Sequence, residues 1–414
     1  MPCITGLYWV CTRSVRRHSH FGLTFPAVLG LISKSHKGAD MFTPAITGTG
    51  VFTPDHTITN AELVVAFNAY ADKMNAENAV AISAGEIEPM AHSSEEFIVK
   101  ASGIHQRYVL DKEGILDPDV MHPLLRQRRD DEPGQMAEMG VDAAQKALEQ
   151  AGRSAADVDA VICAASNMER AYPAIAIEIQ NLLGIQGFAF DMNVACSSAT
   201  FGIQAAADMV RSGSIRAALV VNPEICSGHL EWRDRDCHFI FGDVATAVLI
   251  ERAEEAKGPY FEIKSTRCAT VFSNNIRNNN GFLRRSRPDG VKDRRDMQFM
   301  QNGRKVFKEV VPMVSQHILD HIAEQGVASS DLKRLWLHQA NKTMNDFIGK
   351  KVLGRVPEPE EQPNILQDYA NTSSAGSIIT FSKYSNDLTD GDHALICSFG
   401  AGYSVGSVLL QRHD

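Results

Sequence analysis

Cys196 stands where Asp191-Met192-Asn193-Val194-Ala195 gives way to Ser197-Ser198-Ala199-Thr200-Phe201-Gly202, a strand-like segment turning into a helix start built from small residues. A thiol at a helix N-terminus meets the positive end of the helix dipole and unpaired N–H groups, which favour thiolate and leave a donor for an oxyanion. Taken alone, a cysteine among alanines and serines is more often an inert buried residue. His338 follows apolar Leu335-Trp336-Leu337 and precedes polar Gln339 and Asn341. Its imidazole is expected at the carboxyl end of a strand, where open α/β sheets bind ligands, although a strand-end histidine by itself is more often structural. Asn371, in Asp368-Tyr369-Ala370-Asn371-Thr372-Ser373-Ser374-Ala375-Gly376, precedes a second small-residue helix start in the local style of Cys196. As a lone signal it reads as an N-cap. Phe399-Gly400-Ala401-Gly402-Tyr403 is a glycine-rich turn able to expose backbone N–H groups, or an ordinary tight turn. Thr47-Gly48-Thr49-Gly50 lacks the third glycine of a dinucleotide loop and reads as a plain turn.

The elements that must hold these residues are visible as periodicities. Met136, Met139, Ala143, Ala147, Leu148 and Ala151 fall at helical spacing within Gln135 to Gly152. Val158 to Ala165 follows as a short apolar run, the pattern of a strand buried on both faces. The same unit returns with Glu324-Gln325-Gly326, Ser330-Asp331-Leu332 and Leu335 to Asn341, pairing Asp157 with Asp331 and Asn167 with Asn341 at one fixed separation. Phe241-Gly242-Asp243-Val244 and the following strand are echoed by Phe399-Gly400-Ala401-Gly402 and Ser407 to Leu410. So long a period predicts two homologous α/β halves facing each other, with the site where they meet. Val109 to Pro133 and Asn274 to Arg295 interrupt the pattern and read as surface insertions.

Composition sets the limits. In 414 residues, Lys+Arg 41 against Asp+Glu 50 gives a net charge of −9, which argues against broad binding to nucleic acid or anionic membrane. An acidic partner must therefore meet a local basic patch. The cysteines show no C-x-x-C pair and no metal spacing, so they read as reduced thiols of a cytoplasmic protein without a bound metal. No apolar run reaches the roughly 18 residues of a transmembrane helix. Residues 1–40 differ from the rest, with Arg13, Arg16 and Arg17 before an apolar stretch. They read as an upstream start or disordered extension more readily than as a targeting segment.

Together, Cys196, His338-Gln339-Ala340-Asn341, Asn371-Thr372-Ser373 and Phe399-Gly400-Ala401-Gly402 resemble the β-ketoacyl-acyl carrier protein synthase III family of thiolase-fold condensing enzymes. The match runs in order from about 42 to 412 and takes in Ser102-Gly103-Ile104, Leu183-Gly184-Ile185, Phe241-Gly242-Asp243 and Asn302-Gly303. The resemblance implies a thiolase-like α/β fold, two duplicated halves with mixed five-stranded sheets layered between helices. The first half, 41–255, would carry the nucleophile and the second, 256–414, the histidine and asparagine, behind the atypical extension 1–40.

The implied chemistry is acylation of Cys196 by an acyl-CoA, then condensation with the carbanion left by decarboxylation of malonyl-acyl carrier protein. Neutral His338 and Asn371 would donate to the enolate oxygen, and the amides of Cys196 and Ala401 to the tetrahedral oxyanion. No cofactor is required, since CoA enters as the substrate's thioester. The family pattern further implies CoA contacts at Phe97, Arg235 and Asn341, and an acyl pocket at Tyr172 and Phe241. In a homodimer Tyr172 would reach into the partner's pocket. Lys308, Lys350 and Lys351 would dock the acidic carrier protein. The chain departs from the pattern in having Phe97 where the family has Trp, and Ala101 where it has Arg. With the longer insertions, this is similar to the branch primed by octanoyl-CoA, which makes β-ketodecanoyl-acyl carrier protein. Rival readings are a thiolase-fold synthase joining long acyl chains or serving a secondary metabolite, and a non-catalytic thiolase-like binding subunit.

Overall fold

The computed structural model describes residues 41–279 and 295–414. The extension 1–40 and positions 280–294 of the second insertion lie outside them. Nine strands form one mixed sheet. They are β1 (Pro44–Phe52), β2 (Ala160–Ala164), β3 (Phe188–Met192), β4 (Ala217–Glu224), β5 (Val244–Arg252), β6 (Tyr260–Ser273), β7 (Leu332–Leu337), β8 (His393–Gly400) and β9 (Gly402–His413). Their spatial order is β7-β8-β9-β6-β1-β5-β4-β2-β3.

The order contains the same path twice. From β1 the sheet runs through β5 and β4 to β2, and from β6 through β9 and β8 to β7. In each path two antiparallel pairings are followed by one parallel pairing. The first half adds the parallel edge strand β3 and so has the five strands expected. Among the described residues the second half contributes four strands to this sheet, where five were expected. The sheets are also not separate, because β1 and β6 pair antiparallel through Ala45–Glu262 and Ile46–Phe261. That pairing satisfies backbone groups two open edges would leave bare.

Among the helices packed on the sheet are α1 (Gln135–Gln150), α2 (Ser198–Arg211), α3 (Gly303–Glu324), α4 (Lys342–Leu353) and α5 (Gly376–Lys383). Helix α1 covers β1, β4 and β5 on one outer face, and α3, with α4 against it, covers β8 and β9 on the other. Helices α2 and α5 run inside, each touching strands of both halves. Strand residues alternate accordingly. Val161 and Cys163 pack outward with Met136, Ala143 and Ala147, while Ile162 joins the inner cluster with Trp336, Ile378 and Ile396. Leu335 and Leu337 face the α3 side with Ile318. Burial on both faces is why these strands read as continuous apolar runs.

Two local expectations change. Thr47-Gly48-Thr49-Gly50 is no turn; it lies inside β1, where a Cβ on Gly48 or Gly50 would come within 2.1 Å of the Ala147 carbonyl oxygen or 1.9 Å of that of Ala143. The glycines let α1 approach the strand closely. The segment Val109 to Pro133 is not purely a surface insertion, because Val109, Ile115 and Met121 are buried in a cluster with Ile58, Phe67, Trp232 and Phe241. This cluster forms a cap of its own that takes in Cys226, Leu230 and Trp232, just past the end of β4. Buried Arg107 braces it, donating to Ile58 O at 3.1 Å, Asn60 Oδ1 at 2.8 Å and Phe239 O at 3.2 Å.

Candidate active site

Cys196 lies in the tight turn between β3 and α2. The turn is set by Ala195 at φ +49°, by its N–H donating to Asn193 Oδ1 at 2.9 Å, and by the Val194 N–H donating to Ser198 Oγ at 2.8 Å. The turn between β8 and β9 closes over it from the other half. A Cβ on Gly400 would lie 2.7 Å from Cys196 Cβ and 3.2 Å from Sγ, so only glycine fits there. Sγ receives the Ser373 hydroxyl at 3.4 Å and faces the backbone amides of Cys196 and Ala401. Even so, burial dominates and pushes the thiol up to about 11. Burial thus opposes the thiolate that the helix N-terminus favours.

His338 immediately follows β7, its N–H donating to Cys397 O at 2.8 Å and its carbonyl accepting Asn345 Nδ2 at 2.9 Å. Its ring stands edge-on to Phe399, with centroids 5.2 Å apart at 89°. Burial lowers it to about 4, opposed by a contact with the Ser373 backbone, so the imidazole is neutral near pH 7. Asn371 is fixed by backbone bonds to the cap, donating to Ile240 O at 2.9 Å and accepting from Gly242 N–H at 3.1 Å. Its Oδ1 accepts the Ser373 N–H at 2.8 Å, and Nδ2 has no partner among the described residues.

Cys196, His338 and Asn371 line one cavity of about 540 Å³, within the ~300–1,000 Å³ range of ligand sites. Phe239, Phe241, Phe299, Val306 and Phe307 give it an apolar wall. Phe241 is held edge-on to Phe299 at 4.8 Å, and Arg304 and Lys308 also line it.

The other sequence-expected residues fall in different places. Phe97 does not line the cavity; it packs under the Arg235 guanidinium, 3.9 Å from the ring centroid, so these two form a pair of their own. Asn341 lines the cavity, but its side chain caps α4, accepting the Met344 N–H at 3.1 Å and donating to Ala101 O at 2.7 Å. Tyr172 is 85% exposed and away from the cavity of its own chain. Lys308, Lys350 and Lys351 are exposed, the first on α3 and the other two in the last turn of α4.

Two participants were not singled out from sequence. Ser373, at φ +52°, touches the sulfur with its hydroxyl, Asn371 with its N–H and the His338 ring through its backbone. Glu224, at the end of β4, accepts from Ser166 N–H at 2.9 Å and Ser166 Oγ at 2.6 Å, and from Ser374 N–H at 3.2 Å and the Ser374 hydroxyl. It ties the two halves together beside the Asn371 loop. Burial outweighs those donors and raises its carboxyl to about 7. The signal for Glu224 is a carboxylate closing the apolar run Ala217-Ala218-Leu219-Val220-Val221.

Comparison with known proteins gives a consistent pattern. Residues 190–267 match the model for 3-oxoacyl-[acyl-carrier-protein (ACP)] synthase III, and 322–412 match that family's C-terminal model. The chain is 56% identical over 349 residues to a β-ketodecanoyl-[acyl-carrier-protein] synthase of Pseudomonas aeruginosa, covering 84% of this chain and 99% of the relative. It is 32% identical over 332 residues to a β-ketoacyl-[acyl-carrier-protein] synthase III of Chelativorans sp., covering 79% and 93%. In structure it resembles the priming β-ketosynthase of the R1128 polyketide pathway, with a TM-score of 0.71 at 23% identity over 91% of this chain and 98% of that one. The synthase III of Aquifex aeolicus aligns at 0.68 and 24%, over 89% and 99%.

Proposed function

Because the chain belongs to the β-ketoacyl-acyl carrier protein synthase III family of condensing enzymes, we propose that Cys196 accepts a medium-chain acyl group, octanoyl in length, from an acyl-CoA. The acyl group is then joined to the carbanion from malonyl-acyl carrier protein. The observation that carries this reading is the convergence of Cys196, His338 and Asn371 on one apolar cavity. The relative named for its β-ketodecanoyl product supports the primer length, since decanoyl is octanoyl plus the two carbons malonyl supplies.

In the first step Sγ attacks the thioester carbonyl, and the amides of Cys196 and Ala401 bind the oxyanion. In the second, the neutral His338 imidazole and Asn371 Nδ2 donate to the enolate oxygen formed as carbon dioxide leaves. A neutral ring and an unpartnered amide are what that role requires. The donors are all protein groups, so the chemistry calls for no metal or redox cofactor. The same convergence speaks against a non-catalytic binding role.

The partners follow from the surface. The CoA end of the substrate lies near the Phe97–Arg235 pair and Asn341. Lys308 at the cavity, with Lys350 and Lys351 beyond it, offers the acidic carrier protein a local basic patch on an acidic enzyme. The enzyme acts as a homodimer, with Tyr172 reaching the partner's cavity. The open edge of β3, where Phe188 is 46% exposed and stacks on Phe190 at 6.5 Å, supplies the interface. The described cysteines are free, as suits a reducing cytoplasm. Among the described residues no helix is long and apolar enough to cross a membrane.

The test is condensation with malonyl-acyl carrier protein, comparing acetyl-, octanoyl- and palmitoyl-CoA. Octanoyl-CoA should give the highest kcat/KM and a β-ketodecanoyl product. A clear preference for acetyl or palmitoyl would overturn the primer assignment.

A further inference from the structure

The hydroxyl of Ser373 is placed on the sulfur by a backbone that pays no obvious local dividend. Ser373 holds φ at +52°, a left-handed conformation that glycine adopts freely and serine does not. Strain of this kind persists where the surroundings over-determine it, and it gathers at functional sites. Here the residue is 2% exposed and makes three separate contacts with the three polar groups of the site. Two are backbone contacts, the N–H to Asn371 Oδ1 at 2.8 Å and the link to the His338 ring, and glycine would keep both. The third, Oγ to Cys196 Sγ at 3.4 Å, is the only one that needs a serine.

We propose that Ser373 is a catalytic residue of the acylation step, its hydroxyl donating a hydrogen bond to Cys196 Sγ as negative charge develops there. The inference rests on Cys196 being the nucleophile. In that step a bond forms between Sγ and the acyl carbon, the carbon–sulfur bond to CoA breaks, and the thiol proton ends on the CoA sulfur. Ser373 keeps its own proton throughout. The division of labour follows from the donors present. The amides of Cys196 and Ala401 face the sulfur in the resting site, yet both turn to the acyl oxygen as the thioester docks and attack begins. Until the new carbon–sulfur bond is complete, the hydroxyl is the side-chain donor to a sulfur that has given up its proton in an apolar cavity, where an unpaired charge is hard to sustain. The burial that pushes the thiol up to about 11 makes this donor more consequential, because an apolar cavity wall offers the sulfur few other donors.

The experiment compares wild type, Ser373→Gly and Ser373→Ala by two readouts. One is the rate of acyl-enzyme formation from octanoyl-CoA, followed by intact-protein mass. The other is the pH dependence of Cys196 alkylation by iodoacetamide, which needs no acyl substrate. Ser373→Gly relieves the positive φ and retains both backbone contacts, so it should melt at or above the wild-type temperature. Its acylation should nevertheless slow about tenfold to a hundredfold, the scale of a hydrogen bond to a charged group, and its alkylation midpoint should move to higher pH. Ser373→Ala should show the same two effects with lower stability. Wild-type acylation rates in a folded Ser373→Gly, or an unmoved alkylation profile, would overturn the proposal. If the wild type itself takes no acyl group, the nucleophile assignment fails, and the alkylation profile still decides whether the hydroxyl acts on the sulfur.

Discussion

Asn371 Oδ1 accepts the backbone N–H of Ser373 at 2.8 Å, so the orientation of this amide is decided by the main chain and not by its ligand. With Oδ1 engaged, Nδ2 is left as the donor. Asn371→Asp keeps the acceptor and removes the donor, placing a negative charge where the enolate must form. Malonyl decarboxylation should fall by about a hundredfold to a thousandfold, the usual loss for one oxyanion donor, while acylation of Cys196 survives. Equal loss of both steps in a stopped assay would remove Asn371 from the decarboxylation role.

His338 should behave similarly for a different reason. Its ring is held neutral by burial, with a value of about 4, so the neutral form prevails at all pH values well above that. Lowering the pH from 8 to 6 should therefore bring no loss of decarboxylation from this group, and loss should begin only as pH falls towards 4. His338→Ala should reduce decarboxylation more than acylation. Equal retention of the two steps would refute the assignment.

Gly400 tests how tightly the two halves close on the nucleophile. In Gly400→Ala the new Cβ would sit 2.7 Å from Cys196 Cβ and 3.1 Å from its N, both parts of a fixed turn. Overpacking of this kind costs about 1–3 kcal/mol. Displacing the thiol by even an ångström is expected to slow acylation about a hundredfold. A variant labelled at the wild-type rate would show that the turn can move aside.

Glu224 gives stability a dependence on pH. Its folded value of about 7 lies above the model value of 4.5, so the folded state binds the proton more tightly. The stabilisation is complete below the unfolded value and is lost as pH rises through about 7, a change of up to about 3 kcal/mol. The melting temperature of wild type should fall between pH 5 and 7.5 more than that of Glu224→Gln. Parallel curves would mean that the four donors from Ser166 and Ser374 keep the carboxylate ionised.

At the acid end the sign reverses. His317 and His321, one turn apart on α3, both meet Ser407 Oγ, at 3.0 and 2.7 Å, and His321 also meets Ser265 Oγ at 2.8 Å. Burial is the main cause that lowers both, His321 to about 4; the Arg267 backbone opposes it at His317, His317 adds to it at His321, the Arg267 charge adds to it at both, and Glu324 opposes at both. Stability from these neutral rings is full above the unfolded value near 6.5 and is lost as pH falls from there towards 4. Thermal melts from pH 7 to 4.5 should steepen in wild type and flatten in the His317→Gln, His321→Gln double variant.

How much of this is legible in the sequence depends on what each residue answers to. Strands buried on both faces must be apolar throughout, so Val158 to Ala165 and Leu335 to Leu337 announced β2 and β7. The duplicated path appeared as the echo between Asp157 and Asp331. Cys196, His338 and Asn371 each sit where a strand or loop meets small residues, and their convergence came from the combined motif. The pairing of β1 with β6 was not readable, because Ala45 and Ile46 carry no mark of their partner. Nor was the burial that opposes a thiolate: a helix N-terminus is local, whereas Gly400, which closes against Cys196, comes from the distant β8–β9 turn. Ser373 was hidden for the same reason, since positive φ in a serine leaves no trace in composition.

The central claim is that Cys196 carries the acyl group, and intact-protein mass spectrometry with peptide mapping tests it most directly. After incubation with acetyl-, octanoyl- and palmitoyl-CoA, an octanoyl-sized adduct should appear on the peptide containing Cys196 and vanish in Cys196→Ala. An adduct on another residue, or one that persists in Cys196→Ala, would contradict the account.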